Sequence, residues 1–159
     1  MQKEKIQEFS TRVVQSNPTE LVVILYEMVQ EEIRSAIASR EEQDDQAYDH
    51  SIQQTQKYLQ ELMRSLDLRY GLSGQLLSIY RYVYGVTVRA RLRKETEELA
   101  GCIEIVEHLR EAYVQVARQD SRGPVMKNAQ KVYAGLTYGK NSLSEVSVDD
   151  SIGKRGLYA

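Results

Sequence analysis

Apolar residues recur at three- and four-residue steps through most of this 159-residue chain, and the breaks between the periodic stretches are short and polar. That spacing belongs to helices with one apolar face, not to strands, whose period is two. The first stretch opens at Asn17-Pro18-Thr19-Glu20, where Asn17 can cap, Pro18 is tolerated in the first turn and Glu20 can reach back as a capping-box acid. It runs to Ser39 or Arg40 with Leu21, Leu25, Met28, Val29, Ile33 and Ala36 on one side. A second stretch, Asp45 to Leu68, carries Tyr48, Ile52, Thr55, Leu59, Leu62 and Leu66 at alternating four- and three-residue steps, a heptad seam. A fourth, Thr96 to Arg118, repeats the seam with Leu99, Cys102, Val106, Leu109, Tyr113 and Val116.

Between the two seams lies the most distinctive stretch, Leu76 to Leu92, which sets Tyr80, Tyr82 and Tyr84 among aliphatic residues and follows a break at Gly71, Ser73 and Gly74. At helical spacing Leu76, Tyr80, Val83, Thr87 and Ala90 make one stripe, and Leu77, Tyr84 and Val88 a second beside it. Together they exceed the roughly 100° of circumference that a surface helix usually buries. A wider face points to a second contact besides the parent core, and tyrosine suits it because its hydroxyl stays content in water when the partner is absent. The expected partner groove is an outward stripe of this helix, Leu77, Tyr80, Val83 and Tyr84, flanked by Tyr58 and Leu62 of the preceding helix. Ahead of Asn17, the apolar residues Ile6, Phe9, Val13 and Val14 sit in a polar flank without a clear helical seat, and are expected to lie as an arm over part of that groove.

Four long helices with short connections predict an all-α fold, an antiparallel up-down four-helix bundle. The expected organisation is an N-terminal arm over 1–16, the bundle over 17–120, and over 121–159 a fifth short helix at Val125 to Tyr133 followed by a Gly- and Ser-rich tail. The apolar residues around Val125 to Tyr138 leave room for that tail to dock on the groove. Composition agrees with a globular chain, 28% charged and 42% hydrophobic. The longest uncharged apolar run, Leu21 to Tyr26, is far below the roughly 20 residues needed to span a bilayer, and the N-terminus lacks an apolar signal core, so a cytoplasmic location without membrane insertion is expected. The single cysteine, Cys102, cannot form an internal disulfide.

Chemistry-bearing motifs are scarce. His50 and His108 lie on different helices, and neither follows a Glu at the Glu-x-x-His spacing of a di-iron bundle. HExxH, GxxxxGK[ST], GxSxG and CxxC strings do not occur, so neither catalysis nor a metal or cofactor is expected. A net charge of −2 gives no general attraction to nucleic acid, and the basic run Arg89 to Lys94 is followed at once by Glu95, Glu97 and Glu98.

Several strings in order resemble the flagellar secretion chaperone FliS family over roughly Phe9 to Asp120. They are Asn17-Pro18-Thr19-Glu20-Leu21, Ile24-Leu25-Tyr26, Leu77 to Tyr84, and Leu109-Arg110-Glu111-Ala112-Tyr113. Val83 stands where the family's LYxYMY string has methionine, Asn17 and Ile24 replace the usual residues of its SPxEL and MLY strings, and Glu111 and Tyr113 take the places of Asp-x-Trp. The resemblance implies a cytosolic export chaperone that binds the disordered C-terminal segment of flagellin, prevents premature polymerisation, and works with the membrane-embedded export gate protein. The competing expectation is a small structural or regulatory bundle that homodimerises through its tyrosine-rich helix, with no client.

Overall fold

The computed structural model describes residues 3–125, and places in them α1 (Lys3–Gln15), α2 (Pro18–Glu41), α3 (Asp45–Ser65), α4 (Gly71–Arg93) and α5 (Glu97–Ala117). Among the described residues there is no strand. Apart from Val125, the expected fifth helix and the tail lie outside them.

α2 starts where its capping signals predict. The Asn17 side chain accepts the Glu20 backbone N–H at 2.8 Å, and the Glu20 carboxylate accepts the Asn17 N–H at 2.9 Å. Two helix-end donors are thereby satisfied reciprocally. Replacement of Asn17 by Ala removes the acceptor and is expected to cost about 1 kcal/mol of stability, read from the midpoint of urea unfolding.

α2, α3, α4 and α5 close into a ring in chain order: α2 packs on α3 and α5, and α4 packs on the same two from the opposite corner. Short connections make successive helices antiparallel. The heptad seam of α3 points inward as its spacing predicts, with Tyr48, Ile52, Thr55, Leu59 and Leu62 buried. The α5 seam holds through Leu99, Cys102 and Val106, loosens at half-buried Leu109 and Tyr113, and ends with Val116 in solvent. Over the last turns Val114 and Ala117 instead line a groove with Arg12, Val23 and Ile24, because a straight helix drifts away from a strict seven-residue repeat.

Two sequence expectations are corrected here. α4 begins at Gly71, not after the glycines, since its first turns bury Ser73 and Leu76; burial outweighs the poor helix propensity of Gly71 and Gly74. The N-terminal arm is itself a helix, for Ile6, Phe9 and Val13 fall at helical steps. α1 lies along α2, the corner diagonally across from α4, so the arm does not cover the tyrosine helix. Only Phe9 is buried, at 8% exposure, while Ile6 remains half in water. Ion pairs of 2.5 Å, Lys5 to Glu31 and Arg12 to Glu27, hold the helix down, and the Arg12 guanidinium stands 5.7 Å from the Phe9 ring centre.

The chain after α5 folds back across the start of α2. Thr19 donates its hydroxyl proton to the Asp120 carboxylate at 2.6 Å, the Asn17 amide reaches the Asp120 carbonyl at 3.4 Å, and the Val125 N–H donates to the Ser16 carbonyl at 3.0 Å. Hydrogen bonds from Arg122 first and then Thr19 hold the Asp120 carboxyl well below the usual carboxylate range.

Candidate functional site

α4 has more apolar circumference than the ring consumes. At about 100° per residue the stripe Leu76, Tyr80, Val83, Thr87 and Ala90 faces inward, and all five are buried, with Val86 beside them. The second stripe, Leu77, Tyr84 and Val88, stays half-buried to exposed. Tyr82 is 56% exposed and Leu92 80%. Exposed Leu68, Tyr70 and Leu72 extend the apolar surface around the α3–α4 connection, although no helical period in the sequence marks them.

This splits the predicted groove. Leu77 and Tyr84 lie at the surface, but Tyr80 and Val83 belong to the core, because they sit on the stripe that closes the ring. Leu62 is likewise fully buried. Tyr58 does not flank α4. Gln56 and Gln60 mark the α4 side of α3, donating to the Thr87 hydroxyl at 3.2 Å and to the Tyr84 hydroxyl at 3.4 Å. Two residues from Gln60, Tyr58 is rotated about 200° away and faces α2, where burial first and then the Glu32 carboxylate raise its phenol pKa. The α3–α4 seam is therefore Leu77, Tyr84 and Val88 bordered by two amides that the hydrophobic pattern did not single out.

Where α2, α4 and α5 meet, three tyrosines from separate parts of the chain come together. The hydroxyls of Tyr26 and Tyr80 are 2.5 Å apart, and the Tyr113 ring meets Tyr26 edge-on with centroids 5.4 Å apart. Burial is the main cause that pushes all three phenols above their ordinary pKa. The phenols remain neutral through the physiological range, so the cluster works as packing with an internal hydrogen bond.

On the opposite side, the α2–α5 seam is polar. The Gln30 amide donates to the Glu107 carboxylate at 2.8 Å and to the Ile103 carbonyl at 3.2 Å. The Arg110 guanidinium and that amide hold the Glu107 carboxyl down to about 2. The basic run at the end of α4 is spent on local carboxylates: Arg89 on Glu98 at 2.6 Å, and Lys94 on Asp49 at 2.7 Å. Lys94 ends the helix in a left-handed conformation, φ 57°, while its carbonyl accepts the Arg40 guanidinium at 2.9 Å. Such pairing leaves little of the run to release counterions from a phosphate backbone. Among the described residues no three His, Cys, Asp or Glu side chains gather as a metal site requires, and no helix is long and apolar enough to cross a membrane.

The arrangement offers an extended apolar surface with amide edges. A family model described as Flagellar protein FliS matches residues 1–120, and no curated protein matches the chain.

Proposed function

Since the chain belongs to the FliS family of flagellar export chaperones, we propose that it is a cytosolic, non-enzymatic protein that binds the disordered C-terminal segment of flagellin. It keeps that subunit from polymerising early and hands it to the gate protein of the export apparatus. The observation that supports this reading is the surplus of α4: the ring is closed and its core filled, yet Leu77, Tyr82, Tyr84, Val88 and Leu92 still offer apolar area to water. A disordered segment that folds as an amphipathic helix can lie along such a face. Ordering the client on binding gives back several kcal/mol, which leaves the complex releasable.

Titration calorimetry of the purified chain with a flagellin C-terminal peptide tests the reading. Saturable binding that becomes more exothermic on warming is the expected signature of apolar burial. An absence of binding at about 100 µM of each partner, where a Kd of that order gives a measurable complex, would sink it.

The N-terminal helix has a second role in this proposal. Phe9, with Ile6 and Val13 beside it, covers apolar surface on α2 that a further stretch of the client takes once α1 lifts away. Few buried side chains hold α1, so its release is inexpensive. Deletion of Met1 to Thr11 is then expected to tighten client binding by about threefold or more, because a competing occupant is gone. Unchanged affinity and association rate would make α1 a fixed part of the bundle.

A further inference from the structure

α1 is joined to α2 by Ser16 and Asn17 alone, and both are buried. Ser16 belongs to the α1 side of this joint: its hydroxyl donates to the Val13 carbonyl at 2.9 Å, and its N–H donates to the same oxygen at 3.4 Å. Asn17 belongs to the α2 side. It caps that helix in an extended conformation, φ −71° and ψ 171°, as the following Pro18 demands.

The peptide plane between these two residues is pinned at both ends. The Asn17 N–H donates to the Glu20 carboxylate at 2.9 Å, and the Ser16 carbonyl accepts the Val125 N–H at 3.0 Å. With the plane fixed and the φ of Ser16 tied by the Val13 bonds, α1 keeps one free torsion at the joint, the ψ of Ser16. Turning about one bond sweeps the helix around a fixed cone, so a free lift needs the plane to turn as well. The segment that brings Val125 to Ser16 is itself tied down. The Asp120 carboxylate accepts the Thr19 hydroxyl and the Arg122 guanidinium, each at 2.6 Å, and Pro124 fixes a backbone torsion just ahead of Val125. Little holds α1 itself: Phe9 is its one buried side chain, and its two 2.5 Å ion pairs are partly in water.

We propose that residues 120–125 are a strap that latches α1. The helix leaves α2 only after Val125 gives up the Ser16 carbonyl, so release of the cover is set where the chain exits α5 as well as along α2. The inference deepens the reading of α1 as a displaceable cover and rests on it for its use. The latch itself belongs to the free chain and is tested there without client.

Amide hydrogen exchange of the full chain decides the matter, read from Phe9 to Val13 in α1 and from Ile52 to Leu62 in α3. Val125→Pro deletes the single donor, and Val125→Ala keeps it. The α1 amides are expected to exchange about fivefold faster in Val125→Pro, the factor for one net hydrogen bond, and within about twofold of wild type in Val125→Ala. Asp120→Ala frees the strap from Thr19 without a proline and should quicken α1 about threefold or more. Amides of α3 that exchange by global unfolding quicken in Val125→Pro whether or not α1 is latched, because the unfolded chain lacks the bond too, so α1 is the reporter. Wild-type α1 rates in Val125→Pro or in Asp120→Ala, or α1 as fast in Val125→Ala as in Val125→Pro, would each overturn the latch. Such a result leaves the flagellin reading standing.

Discussion

Tyr80→Ala is expected to destabilise the bundle by about 3–5 kcal/mol, the range for removing a large aromatic side chain from a packed core. Tyr80 is only 2% exposed and its hydroxyl is hydrogen-bonded to that of Tyr26. Tyr80→Phe keeps the ring but strips Tyr26 of that partner, so a loss of about 1–3 kcal/mol is expected. Removing both hydroxyls in Y26F/Y80F should recover part of that loss, since no buried phenol is then left without this contact. Tyr82→Ala, two residues away on the exposed side, should stay within about 0.5 kcal/mol. Urea unfolding of the four variants measures all of this, and a wild-type midpoint for Tyr80→Ala would contradict the buried assignment. The same tyrosines give an alkaline signature. Burial raises their pKa in the folded chain, whereas the unfolded chain releases these protons near pH 10. The stability they contribute is therefore fully present below about pH 10 and is lost as the pH climbs beyond it. Y26F/Y80F should show a shallower decline.

Client binding should respond in the reverse order. Tyr84→Ala removes a half-exposed aromatic at the middle of the α3–α4 seam and is expected to weaken binding of the flagellin peptide by about 2 kcal/mol, roughly thirtyfold. Leu77→Ala should follow in the same direction with a smaller effect. Tyr58→Ala, on the α2 side of α3, should leave affinity within about threefold, the behaviour of a residue outside the contact. Calorimetry on variants with unchanged unfolding midpoints separates the cases. If Tyr58→Ala proved the more damaging, the client would lie in the α2–α3 seam and the α4 assignment would be wrong. A loss of binding by Tyr80→Ala carries no such information, because the fold itself is weakened.

The convergence of Tyr26, Tyr80 and Tyr113 also explains why short strings scattered along the chain go together. One lies in the first turns of α2, one in the tyrosine block and one near the end of α5, and their aromatic members meet in a single cluster. The Asn17 cap and Thr19 similarly receive the chain that leaves α5, through Asp120. Packing of these positions against one another accounts for their joint occurrence.

What the sequence determined by itself is local. The capping box at Asn17 and Glu20 started α2 where the pattern placed it, because a cap needs only residues three apart. The spacing of Tyr48, Ile52, Thr55, Leu59 and Leu62 identified the inward face of α3, since a heptad with one apolar side admits one orientation. For α4 the same periodicity named both stripes but could not choose between them: apolar residues cover too much of the helix, and the rotation about its axis depends on what α3 and α5 present. Tertiary packing turned Tyr80 and Val83 inward and left Leu77 and Tyr84 half-buried at the rim. It also turned Tyr58 toward α2, drew Gly71 and Gly74 into a helix that their propensity disfavours, and seated α1 on α2 through Phe9 and two ion pairs whose partners lie far along the chain. Period fixes the angle between residues of one helix, whereas the direction each residue faces is a property of the neighbours, and those are brought together only by the fold.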